Sequence, residues 1–205
     1  MEYKATRSQI DALPVFPYSV TNFISQEQTQ QLLLYLNTEE ANSGFGNLDI
    51  KEYWQGRTLD AKRIVNTDIR DMFREIRFKI TTTIQQLLDI HLGPQPPLYV
   101  DLINFARWPV GYELRPHADN ENPDGSPHRF TYRDFGSVIY LNNDYGGGEI
   151  FFPNQDITLK PVPGTFMVFP GTLQYLHGIR PVTSGTRHTI ATFITFDQTK
   201  EYRIF

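Results

Sequence analysis

The chain contains no cysteine in its 205 residues. That excludes a disulfide framework, thiolate zinc sites, iron–sulfur clusters and cysteine nucleophiles. It also has no run of five or more basic residues, and its formal net charge is −4. The electrostatic stripe of a dedicated duplex-DNA binder is therefore missing. No apolar run approaches membrane-spanning length. The opening "MEYKATRSQIDALP" lacks the apolar centre of a secretory signal. These absences lead us to expect a soluble cytoplasmic protein with no nucleic-acid or membrane partner. They say nothing of oligomeric state. Internal repeats and low-complexity tracts are absent as well.

What is present is ordinary globular material, 40% hydrophobic and 14% aromatic, in a length that suits one core. Residues 1–205 thus read as a single domain. Two helical patterns lie in the first half. In "ISQEQTQQLLLYLN" (24–37), Ser25 followed by Gln28 reads as a capping box, with Leu32, Leu33, Tyr35 and Leu36 as the buried face. In "TDIRDMFREIRFKITTTIQQLLDIHL" (67–92), Ile69, Met72, Phe73, Ile76, Ile80, Ile84, Leu87 and Leu88 recur at helical spacing, and "GPQPP" stops the pattern. After residue 97, short β-branched and aromatic runs alternate with Gly/Pro/Asn turns. The expected fold is mainly β with N-terminal helices: a double-stranded β-helix, or jelly roll, with the helices packed on one sheet. Residues 1–97 would supply helical support and edge elements, and 98–200 the jelly-roll core. The stretch 42–63 fits neither pattern and is expected to be loop and edge strand.

The first chemical signal is "ELRPHADNENPDG" (113–125). In a strand, residues two apart share a face, so His117 and Asp119 can converge on one atom if the strand persists that far. A strand-end histidine followed by a loop aspartate is the alternative. Four other histidines compete to be a third ligand. His91 ends the second helix, where a cation suits the dipole. His128 lies in a polar loop and reads as solvated. His188 must face away from its neighbour Arg187. His177, in "QYLHGIRPV", sits in an apolar strand as either a core histidine or a ligand. Arg187 follows ten residues later across "PVTSG", and on an adjacent strand it would point into the same interior. A buried guanidinium asks for a carboxylate, from the protein or from a dicarboxylate cosubstrate. Two histidines, one aspartate and open positions describe a 2-His-1-carboxylate iron site.

The ordered series "RWPVGYELRPHAD", "SVIYLNNDYGGGEIFFP", "VPGTFMVFP" and "LHGIRPVTSGTRHTI" resembles the Fe(II)/2-oxoglutarate-dependent oxygenases, in their prolyl 4-hydroxylase-like branch. The resemblance covers residues 100–197. It implies a metal site in the 98–200 core, with His117, Asp119 and His177 as iron ligands and Arg187 paired with the distal carboxylate of 2-oxoglutarate. Tyr140 matches a tyrosine that in some relatives contacts that carboxylate, and reads equally as a core aromatic. Trp108 stands where many relatives have tyrosine. "GGGE" (146–149) matches a family turn and would also serve as plain hairpin chemistry. The implied reaction uses Fe(II), 2-oxoglutarate and O2, with ascorbate as reductant, and hydroxylates an unactivated C–H to give succinate and CO2. A prolyl residue of a peptide or protein is the leading substrate; a free amino acid or other small molecule is the alternative. Loops 120–134 and 42–56 would wall the cleft. A nucleic-acid demethylase of this superfamily would place a second arginine six residues after the first, where this chain has Phe193. A zinc-dependent hydrolase and a non-catalytic jelly-roll binding module are the rival classes.

Overall fold

The computed structural model describes residues 4–45 and 54–203. Among the described residues four α-helices, interspersed with two edge strands, precede the run of strands that begins at residue 99: α1 (Arg7–Asp11), α2 (Gln26–Leu36), α3 (Glu39–Gly44) and α4 (Thr67–Leu92). The capping box of α2 forms as its sequence predicts. Ser25 Oγ accepts from the Gln28 N–H at 3.0 Å, and Gln28 Oε1 accepts from the Ser25 N–H at 3.0 Å. On α4 the Asn66 side chain accepts from the Ile69 N–H at 3.1 Å, and the helix ends at Gly93, whose φ of 76° no β-carbon residue adopts readily. The eight apolar residues at helical spacing on α4 are its buried residues. On α2 one position differs: Thr29 is buried, whereas Leu33 is only half-buried at the edge of the stripe. No described helix is long and apolar enough to cross a membrane.

The strands are β1 (Tyr18–Val20), β2 (Thr58–Asp60), β3 (Tyr99–Trp108), β4 (Leu114–His117), β5 (Phe135–Tyr140), β6 (Gly146–Gly147), β7 (Ile150–Phe152), β8 (Ile157–Leu159), β9 (Phe166–Pro170), β10 (His177–Ile179), β11 (Val182–Ser184) and β12 (Arg187–Thr195). Six make one sheet in the order β1-β9-β5-β12-β3-β2, and four make a second in the order β4-β10-β7-β8. From β3 onward the chain passes repeatedly between the two sheets, which is the winding of a double-stranded β-helix. The segment 42–63 contributes the edge strand β2; its residues 46–53 lie outside the described part, Tyr53 among them.

One face of the six-stranded sheet carries the helices. Phe105 of β3 meets Phe73 of α4 edge-on at 4.9 Å and Tyr35 of α2 at 6.0 Å, while Phe23 stacks on Phe166 of β9 at 4.5 Å. The opposite face looks toward the four-stranded sheet. Antiparallel register puts Arg187 beside Trp108, Thr189 between Ala106 and Tyr140, and Gly136 beside Phe169 on that inner face.

Two sequence expectations change here. Arg187 is not on a strand adjacent to His177: β10 and β12 belong to different sheets, so the two side chains enter from opposite walls. "GGGE" is not a hairpin. β6 pairs with the distant β11, and a side chain at Gly147, where φ is 65°, would fall on the Pro181 carbonyl. Glycine is needed there for close backbone approach as well as for conformation.

Candidate metal centre

His117 closes β4 and His177 opens β10, and the two are register partners across the antiparallel pair. Their ring centroids lie 4.4 Å apart. Asp119 lies past the end of β4, so the shared-face argument for a continuous strand does not place it. Backbone hydrogen bonds do: the N–H groups of Asp119 and Asn120 both donate to the Gly171 carbonyl, at 2.8 and 3.1 Å. Asn120 Nδ2 also donates to the Arg133 carbonyl at 2.6 Å, tying together the two ends of the 120–134 loop. The result is a compact triad. Asp119 Oδ1 is 3.7 Å from His117 Nε2 and 3.9 Å from His177 Nε2, and one ligand atom from each residue lies within 4.8 Å of the others. Among the described residues no other group of three or more such side chains converges this way.

Both imidazoles are oriented from behind. His117 Nδ1 is 3.0 Å from the Arg115 carbonyl and His177 Nδ1 is 3.1 Å from the Tyr175 carbonyl. A carbonyl only accepts, so each Nδ1 carries the proton and each Nε2 turns a lone pair inward. His177 is buried against Phe169, with ring centroids 4.3 Å apart, and Phe152 at 5.9 Å. That burial pushes its pKa down to about 4, outweighing the upward pull of Asp119. The ring is therefore neutral near pH 7, as a metal ligand must be. His117 stays half-exposed at the rim. Two neutral nitrogens and one carboxylate oxygen form a donor set suited to a borderline divalent ion such as Fe(II).

Arg187 is only 1% exposed, makes no ion pair with a described carboxylate, and has Nε and Nη2 without hydrogen-bond partners. The Tyr140 and Trp108 rings flank its guanidinium at 5.1 and 5.7 Å. Tyr140 Oη and Trp108 Nε1 are likewise buried without partners. Burial lifts the Tyr140 pKa to about 12 despite the opposing charge of Arg187, so its hydroxyl remains a donor. A desolvated cation with no counter-ion costs several kcal/mol. An incoming carboxylate would relieve that cost, so these residues fit the distal end of 2-oxoglutarate.

The other sequence candidates fall elsewhere. His91 sits in the last turn of α4. His188 backs onto the far side of β12, where burial and Arg107 lower its pKa. His128 is half-buried rather than solvated, and the loop brings it close enough for its charge to be coupled to Asp119 and His117. Phe193 receives the Arg133 guanidinium at 3.7 Å, and Arg133 Nε pairs with Asp101 Oδ2 at 2.7 Å. Trp54 packs edge-on against Trp108 at 5.5 Å, with the Arg57 guanidinium near both rings. Sequence reasoning missed Gly136, whose missing side chain leaves room for Asp119 Oδ2. A β-carbon there would overlap that oxygen and approach Phe169 Cε2 to 2.7 Å. Gly136 and Asp119 are far apart in sequence, so no local spacing could have signalled the contact.

Residues 103–195 match the 2OG-Fe(II) oxygenase superfamily. Prolyl 3-hydroxylase 2 of Mus musculus is 32% identical over 93 residues, which are 40% of this chain and 13% of that protein. The chain thus spans about one eighth of the length of that curated relative. Two solved structures share the fold. One is the viral collagen prolyl hydroxylase of Paramecium Bursaria Chlorella virus-1 in a 2OG complex, with a TM-score of 0.60 at 18% identity, covering 87% of this chain and 94% of that one. The other is a Trichoplax adhaerens prolyl hydroxylase bound to a hypoxia inducible factor peptide, with a TM-score of 0.66 at 13% identity, covering 95% and 90%.

Proposed function

We propose, from the match of residues 103–195 to the 2OG-Fe(II) oxygenase superfamily and the similarity to prolyl hydroxylases, that this chain is an Fe(II)- and 2-oxoglutarate-dependent dioxygenase that hydroxylates a prolyl residue in a peptide or protein. The observation that carries this reading is the pairing of a metal-competent triad with an uncompensated buried arginine between the same two sheets. A binding module would need neither the triad nor that arginine. A zinc hydrolase could use the arginine for an anionic substrate but would also need a general base, which no described residue beside the triad declares itself to be.

On this reading His117, Asp119 and His177 hold Fe(II). Arg187 and Tyr140 bind the distal carboxylate of 2-oxoglutarate, exchanging a costly unpaired charge for a charge-assisted pair. The bound iron, 2-oxoglutarate and O2 supply the oxidant that places one oxygen atom on an unactivated C–H, with succinate and CO2 as co-products. The chain's own work is physical. The carbonyls of Arg115 and Tyr175 keep both Nε2 atoms aimed inward. Phe152 and Phe169 keep water from the His177 side. The half-exposed His117 edge, beside the 120–134 loop, is where a peptide would approach. The prolyl hydroxylase names of the relatives, and the peptide bound to one of the structural neighbours, support that substrate class.

The test is incubation of purified protein with Fe(II), 2-oxoglutarate, ascorbate and proline-rich peptides, with free proline in parallel. A peptide product heavier by one oxygen, absent with His177→Ala, is expected, and chromatography against 3- and 4-hydroxyproline assigns the ring carbon. Oxygen incorporation into free proline alone would overturn the peptide assignment. No oxygenated product from any probe would overturn prolyl hydroxylation.

A further inference from the structure

Tyr145 lies between β5 and β6 and was not among the sequence candidates. It is 4% exposed, and its hydroxyl, like that of Tyr140, is buried without a hydrogen-bond partner. Its ring is tightly located. It packs with Ala106, Trp108, Ile179 and Val182. The Lys160 ammonium lies over it at 4.3 Å and donates to the Tyr145 carbonyl. Gly148, with φ of 69°, leaves a gap between this ring and Arg187: a β-carbon there would sit 3.0 Å from Tyr145 Cε2 and 3.2 Å from Arg187 Cδ. Tyr145 therefore stands against the stem of Arg187, as Tyr140 stands against its guanidinium. Burial raises the Tyr145 pKa, and Arg187 is the main influence opposing that rise, so the phenol keeps its proton near neutrality.

A tyrosine needed only as filler would do as well as phenylalanine, and buried phenols ordinarily find a partner. Here two phenols from different segments face one guanidinium, whose N–H groups lie near enough to stabilise the phenol oxygens, but neither phenol proton has an acceptor and two guanidinium nitrogens have no well-formed partner. The complement to such a set is an anion offering several acceptor oxygens in one place. We propose that Tyr145 is a cosubstrate-binding residue whose hydroxyl donates to the distal carboxylate of 2-oxoglutarate alongside Arg187 and Tyr140. The inference rests on the 2-oxoglutarate reading above and adds a third protein anchor to it.

Calorimetric titration with Mn(II) as a redox-silent metal separates the two claims. The probes are 2-oxoglutarate and 2-oxobutyrate, which keeps the 2-oxo acid but lacks the distal carboxylate. Tyr145→Phe is expected to weaken 2-oxoglutarate binding about tenfold or more, the effect of losing one hydrogen bond to a charged group. Binding of Mn(II) and of 2-oxobutyrate should be unchanged. Tyr140→Phe, measured in parallel, should show the same selectivity. Unchanged 2-oxoglutarate affinity in Tyr145→Phe, or equal weakening of both 2-oxo acids, overturns the role of Tyr145 and leaves the dioxygenase reading standing. If the wild-type protein with Mn(II) binds no 2-oxoglutarate, the cosubstrate reading falls, and the anchor with it.

Discussion

Asp119 presents Oδ1 to two imidazoles and buries Oδ2 without a hydrogen-bond partner. Gly136 makes that placement possible, since any side chain on this residue of β5 would press on the carboxylate and on Phe169. Gly136→Ala is therefore expected to lower Mn(II) or Fe(II) affinity by about tenfold or more, the usual scale for disturbing the supports of a ligand, while the fold survives. Metal titration followed by circular dichroism checks this; unchanged metal affinity would remove Gly136 from the site. At this scale the sequence was readable where chemistry is carried by residue type. His177 and Arg187 stand out as polar groups amid apolar strands, and His117 and Asp119 as a closely spaced ligand-type pair at a strand end. Gly136, Phe169 and the Gly171 carbonyl do not, because their importance comes from contacts across strands distant in sequence.

At the scale of elements, local signals served well and pairing signals poorly. The capping box of α2 and the apolar stripe of α4 each depend on residues three or four apart, and both formed as their sequence predicts. Whether β12 lies beside β10 or opposite it depends on long-range winding, which no short motif encodes. Junctions between helices are similarly hidden. The Glu40 carboxylate in α3 accepts from the Val65 and Asn66 N–H groups at 2.8 and 3.1 Å and from the Tyr35 hydroxyl at 2.9 Å, joining α2, α3 and the start of α4. Burial pushes the Glu40 pKa up, but the three donors outweigh it and hold the group below its ordinary value. The unfolded chain therefore takes up this proton first as pH falls. The contribution is present above the ordinary carboxylate pKa and is lost as pH drops through the folded value. Glu40→Gln is expected to cost on the order of 1 kcal/mol at pH 7. Urea unfolding should show the gap from wild type closing in acid; a gap independent of pH would contradict this role.

At the scale of the whole molecule, the jelly roll brings a His-Asp-His triad able to hold a metal ion and a buried cation between two facing sheets while the helices cover the outer face. The core therefore supports the site from one side and leaves the His117 rim accessible. The fold class was readable from the change in texture after residue 97. The interior arrangement was readable only in part, because alternation gives the face of each strand but not its neighbours. The decisive measurement is an anaerobic absorption titration with Fe(II) and then 2-oxoglutarate on wild type, His177→Ala and Arg187→Ala. A weak visible charge-transfer band is expected in wild type. It should vanish without His177, and without Arg187 it should require far more 2-oxoglutarate, by about a hundredfold for a buried charge pair. A wild-type protein that binds Fe(II) yet forms no band, or an Arg187→Ala variant that saturates at the wild-type concentration, would contradict the assignment.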